Sequence, residues 1–141
     1  MQVRQARPEE LKSGIAPVSH YFGNAPTEEN VRRFARVLRP ERMQLAEEDG
    51  QIVGGASAFE FQFTVPGAIV PCAGVTVVGV LPTHTRRGIL TALMRAQLDD
   101  AHERGEPVAA LWASEETIYG RYGYGMAALS GEAEIQRVYG A

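Results

Sequence analysis

The sequence predicts a mixed α/β domain: an antiparallel meander joined through one helix to a further strand beside it. Three observations carry this. Val-, Thr- and aromatic-rich runs at 51–63 and 69–80 flank a Pro-Gly turn. A helical stripe of Ile89, Leu90, Leu93, Met94, Leu98 and Ala101 follows. A short apolar run, Pro107 to Ala113, comes next and reads as a strand buried on both faces.

Each element has a local reason. Gln2 to Ala6 suits a short first strand, and Pro8-Glu9-Glu10-Leu11 a helix start, with Pro and acidic residues in the first turn. Thr27 can cap a second helix whose Val31, Phe34, Ala35 and Leu38 share a face, and Pro40 ends it. Met43 to Glu47 and Gln51 to Phe63 form a hairpin about an Asp-Gly turn. Val65-Pro66-Gly67-Ala68 turns the chain into a strand from Ile69 to Val80, which Pro82 stops. The long helix runs from about Arg87 to Glu103, and Gly105 terminates it. A loop and short helix at Ser114 to Tyr119 follow, and Ala127 to Val138 supplies closing strands.

A length of 141 residues fits a single domain, 1–141, with a real core. Hydrophobic residues at 45% and charged residues at 22% describe a globular chain rather than a disordered one. The net charge of −3 argues against nucleic acid as a partner; the basic clusters are only Arg32-Arg33 and Arg86-Arg87. A mildly acidic surface suits a cationic substrate. Cys72 is the only cysteine, so no internal disulfide forms and a cytoplasmic setting is favoured. No stretch reads as a signal peptide or membrane span, since Phe63 to Leu81 is broken by three glycines and two prolines.

The segment with chemistry in it is Val75 to Leu90, where a strand leads into Arg86-Arg87-Gly88 and directly into the long helix. A helix start leaves N–H groups unpaired and carries the positive end of the macrodipole. A pyrophosphate fits there, with two arginines adding charge and Gly88 admitting the ligand to the backbone. Spacing alone favours a strand-to-helix turn with solvated arginines, because short glycine motifs recur by accident.

At this loop the chain resembles the GNAT superfamily of N-acetyltransferases, and within it the enhanced intracellular survival family of aminoglycoside and lysine acetyltransferases. The blocks in common are Leu81-Pro-Thr-His-Thr-Arg-Arg-Gly-Ile-Leu90, Pro107-Val-Ala-Ala-Leu111, Ala113-Ser-Glu115 and Ile118-Tyr-Gly-Arg-Tyr-Gly-Tyr-Gly125, with weaker support from Thr64-Val-Pro-Gly67. The resemblance implies the GNAT fold, with acetyl-CoA as co-substrate and an amine as acceptor. It implies backbone contacts from Val78, Gly79 and Val80 to the pantetheine and acetyl groups. Arg86, Arg87, Gly88, Ile89, Leu90 and Thr91 would hold the pyrophosphate, Ser114 and Glu115 would line the cleft, and Tyr119 would be the general acid. The chain departs from the superfamily pattern at Thr85, where a Gln or Arg is usual, and at Leu90, where a small residue is usual.

Among other candidates, Tyr122 and Tyr124 read as packing on a glycine-rich turn, as do Cys72 and Trp112 in their strands. His20, His84 and His102 have no metal-ligand spacing, so no metal is expected. Between Phe61 and Leu98 there is no Asp or Glu, so the central strand offers no general base; Glu60 and Glu115 are the nearest carboxylates. In the resembled family the base is the carboxylate at the end of a longer chain with a second GNAT-like domain and a sterol-carrier-like domain, which this chain is expected to lack. The leading expectation is acetyl transfer to a primary amine by direct attack. The alternatives are an acyl-CoA-binding domain with little catalysis, and an unrelated α/β domain holding another phosphorylated ligand. A sheet edge or uncovered face would favour a homo-oligomer.

Overall fold

The computed structural model describes residues 1–134. Five strands form one sheet in sequential order: β1 (Gln2–Gln5), β2 (Gln44–Glu48), β3 (Gln51–Val65), β4 (Ala68–Val80) and β5 (Val108–Leu111). The first four pair antiparallel and β5 joins β4 in parallel. Parallel pairing requires a crossover, supplied by α3 (Ile89–Glu103). Helices α1 (Leu11–Tyr21) and α2 (Glu28–Phe34) lie between β1 and β2 in the chain, and α4 (Glu116–Tyr119) follows β5.

The sheet has a helical layer on each face. Because strand side chains alternate, Leu45 joins Met43, Leu11 and Ile15 beneath α1, while its neighbour Ala46 joins Val53, Ile89 and Leu93 beneath α3. Helix α1 sits very close to the strands, its backbone at Gly14 and Val18 occupying the space a Cβ would need on Gly55 and Gly79. Gln97, buried in the α3 face, donates through Nε2 to the carbonyls of Arg42 and Ala56, each at 3.1 Å.

Several elements differ from the sequence reading. The first turn, Pro8–Glu10, is a 3-10 turn that runs into α1. Helix α2 ends at Phe34; Thr27 caps it as expected, accepting from the Asn30 N–H at 3.2 Å, but Ala35 is exposed while Leu38 is buried. Helix α3 begins at Ile89 because Arg86 and Gly88 both take left-handed dihedrals (φ 61° and 80°). Strand β5 is shorter than Pro107 to Ala113 and half-buried rather than enclosed, because among the described residues it has β4 on only one side. Trp112 therefore is not core: it lies past the last ladder pair and is 83% exposed. No strand forms over 127–134, and the rest of the expected closing segment, 135–138, lies outside the described residues. Among the described residues no helix is long and apolar enough to cross a membrane.

Candidate functional site

The site originates in a break in the β3–β4 ladder. Gly55 pairs with Gly79 and Ser57 with Thr76, so Ala56 alone faces two residues, Val77 and Val78. This is a β-bulge, and Val77 takes φ 55° to make it, an unusual dihedral for a β-branched residue. On the other side, β5 follows β4 only from Cys72–Val108 to Val75–Leu111. Beyond Val75 the two strands have no ladder pairs, and a cavity of about 860 Å³ opens beside them.

That cavity draws its walls from distant parts of the chain. The bulged end of β4 contributes Val75 to Val80, the loop and first turn of α3 contribute Arg86, Gly88, Ile89, Leu90 and Thr91, and the segment after β5 contributes Ser114, Glu115 and Tyr119. Ten of the eleven cofactor-side residues and the catalytic candidate expected from sequence thus face one space. The eleventh, Arg87, turns away, its Nη2 2.8 Å from Glu48, whose carboxylate also lies 3.6 Å from His84. The sequence reading missed Tyr21 and Phe22 at the end of α1, exposed Trp112, and Arg121, all of which also line the cavity. No short-range pattern links 21 to 112, so the sequence offered no signal for them.

The loop is built to present N–H groups. Left-handed residues at 86 and 88 curl the backbone into a concave turn. Gly88, the N-cap of α3, has no side chain to satisfy the first helical N–H groups, and none bonds there. Arg86 faces the cavity beside them.

Tyr119 is half-buried against the α3-side core. Burial, then Glu115 and Tyr122, push its pKa above the ordinary phenol value. Its ring meets Tyr124 edge-on at 6.1 Å, and burial drives Tyr124 further, up to about 12. Tyr122 and Tyr124 pack on the same cluster, and the Tyr122 hydroxyl lies 3.1 Å from Thr91 Oγ1. Glu115 accepts a hydrogen bond from the Tyr21 hydroxyl. Glu60 lies away from the cavity, 3.6 Å from Arg39. Cys72 is buried and its thiol pKa raised by that burial, as packing requires. Among the described residues no cluster of His, Cys, Asp or Glu could hold a metal ion.

A five-stranded mixed sheet, bulged and parted at its centre over a helix start, defines the class as a GNAT-type acyltransferase fold. The chain belongs to the Acetyltransferase (GNAT) domain family, whose profile matches residues 2–127. It is 46% identical over 141 aligned positions to an uncharacterised N-acetyltransferase of Streptomyces coelicolor, covering 96% of this chain and 34% of that protein. It is 42% identical over 108 positions to the N-acetyltransferase Eis of Mycobacterium tuberculosis, covering 72% of this chain and 27% of the relative. The crystal structure of Eis1 from Mycobacterium abscessus superposes with a TM-score of 0.81 at 41% identity, over 90% of this chain and 32% of that one. The chain spans about a third of the length of these relatives.

Proposed function

We propose that this domain binds acetyl-CoA along the parted strands and transfers its acetyl group to a primary amine. The observation that carries the reading is the uncapped start of α3 opening, beside Arg86, into the same cavity as Tyr119. The N–H groups of 86–91 would take the pyrophosphate. The bulge at Val77–Val78 leaves backbone of β4 without ladder partners, free to hydrogen-bond the pantetheine arm and orient the thioester. A fold neighbour from Clostridium acetobutylicum, 20% identical with a TM-score of 0.74, was solved with acetyl-CoA.

In the transfer, a neutral amine attacks the thioester carbon, a tetrahedral oxyanion forms, the attacking nitrogen gives up its extra proton to water, and the carbon–sulfur bond breaks to release the thiolate. Tyr119 would face that sulfur. An ordinary phenol titrates near 10 and a thiol near 8.5, so complete proton transfer is uphill by about 2 kcal/mol. Burial raises the Tyr119 pKa and makes the transfer harder still. Its role is therefore a hydrogen bond to the developing thiolate more than delivery of a proton.

A second reading, cofactor binding with little catalysis, is favoured by one fact: Glu115 is the only carboxylate among the described residues lining the cavity. Calorimetry with acetyl-CoA, desulfo-CoA and ATP, followed by an acetyl-transfer assay with a simple amine, separates the readings. Binding of both CoA compounds with measurable turnover supports transfer, binding without turnover supports the second reading, and preference for ATP overturns both. Residues 1–141 are read as one GNAT unit, the lone cysteine suits a cytoplasmic setting, and self-association is part of the proposal.

A further inference from the structure

A second, smaller cavity of about 360 Å³ adjoins the first along α3. The two have Thr91, Arg121 and Tyr122 in common, and the smaller one adds Arg95 and Leu98. The 3.1 Å contact between Thr91 Oγ1 and the Tyr122 hydroxyl lies at their junction. Arg95 comes from the second turn of α3 and Arg121 from a 3-10 turn, Gly120–Tyr122, far away in the sequence. The fold alone brings both to one hollow.

Their charges are uncompensated there. Arg4, Arg7, Arg39, Arg42, Arg87 and Arg104 are each paired with a carboxylate. Among the described residues Arg95 and Arg121 pair with none, and no acidic side chain lines the cavity between them. Two like charges on one small cavity repel, and an anion between them reverses the sign of that interaction. The planar guanidinium forks suit the oxygens of a phosphate, and the two hydroxyls at the junction can add hydrogen bonds.

The position selects the phosphate. Arg95 lies about 9 Å along the helix axis from Ile89. Helical side chains lean toward the N-terminus, which carries the Arg95 head back over the turn at Thr91. In coenzyme A the pyrophosphate is joined through a single ribose to a 3′-phosphomonoester, a spacing of about one helical turn. With the pyrophosphate on the N–H groups of 86–91, the 3′-phosphate can reach the second cavity without the chain moving. Its charge near neutrality is close to −2, which matches the two arginines.

We propose that Arg95 and Arg121 form a subsite for the 3′-phosphate of coenzyme A, so that the domain selects the 3′-phosphorylated cofactor over its dephospho form. The subsite rests on the acetyl-CoA reading and adds to it a recognition element remote from the thioester.

The test is calorimetry of coenzyme A and 3′-dephospho-coenzyme A against the parent chain, Arg95→Gln, Arg121→Gln and the double variant, each first checked by circular dichroism and thermal melting. The parent is expected to bind coenzyme A about tenfold more tightly, the scale of two exposed charge pairs, and the advantage should shrink as salt rises. Each single variant loses part of the advantage and the double variant all of it, while affinity for the dephospho form stays within about twofold throughout. Equal affinities in the parent, or an advantage surviving in the double variant, overturns the proposal. So does an equal loss for both compounds in the variants, which would put the arginines on the pyrophosphate. Those outcomes leave cofactor binding itself intact. Failure of both compounds to bind the parent would instead sink the acetyl-CoA reading, and the subsite with it.

Discussion

Val75 and Val77 stand two residues apart on one strand and pack into opposite layers, Val75 beneath α3 with Met94 and Val77 beneath α1 with Leu45. A regular strand would place both on one face. The left-handed dihedral of Val77 shifts the phase, so Val78 and Val80 continue on the α3 face. The core absorbs that backbone strain, of order 1–3 kcal/mol, and the displaced ladder is what gives the cavity its wall.

The close approach of α1 gives a direct test of that wall. A Cβ on Gly79 would fall within contact distance of the Val18 backbone, which has no rotamer to yield. Gly79→Ala is expected to cost about 1–3 kcal/mol, read as a lowered denaturation midpoint. It should also weaken acetyl-CoA binding, because the residue lies between the bulge and the loop. Unchanged midpoint and affinity would contradict the packing described.

The two loop arginines should separate. Arg86 faces the cavity while Arg87 is held by Glu48. Arg86→Ala is expected to weaken acetyl-CoA binding several-fold more than Arg87→Ala, with the gap narrowing as salt rises. Isothermal calorimetry at two ionic strengths checks this; equal losses would mean Arg87 leaves Glu48 to meet the ligand.

Tyr119→Phe should leave acetyl-CoA affinity nearly unchanged and lower kcat, since one hydroxyl is lost and the ring's packing kept. Because burial raises the phenol pKa above 10, Tyr119 stays protonated through the neutral range. The parent pH–rate profile should therefore rise toward the pKa of the acceptor amine without an alkaline fall below about pH 10. A limb titrating well below the amine pKa would reveal a base among these residues.

Stability should fall at both pH extremes for opposite reasons. The Arg4 guanidinium, with the Arg7 backbone N–H, holds the Glu10 carboxyl well below its usual range. A depressed folded pKa stabilises above the unfolded value near 4.3 and is lost as pH drops below it. Burial raises Tyr119, and Tyr124 to about 12; that contribution is complete below about pH 10 and declines above it. Glu10→Gln should flatten the acid side of a melting-temperature profile and leave the alkaline side alone.

Sequence alone determined the order of elements from β1 to α4, because those signals are local. Asp49-Gly50 and Pro66-Gly67 mark turns, Thr27 a cap, and the stripe on α3 a buried face. The resemblance carried the site residues onto positions of which all but Arg87 share one cavity. Only the tertiary structure decided the bulge, since nothing near Val77 signals a left-handed dihedral in a valine-rich strand. It alone placed Trp112 in solvent, because burial depends on where β5 stops pairing and not on the apolar run itself. And it alone brought Tyr21 to Glu115, a contact made by two helices that dock on one sheet and invisible to any pattern confined to neighbouring residues.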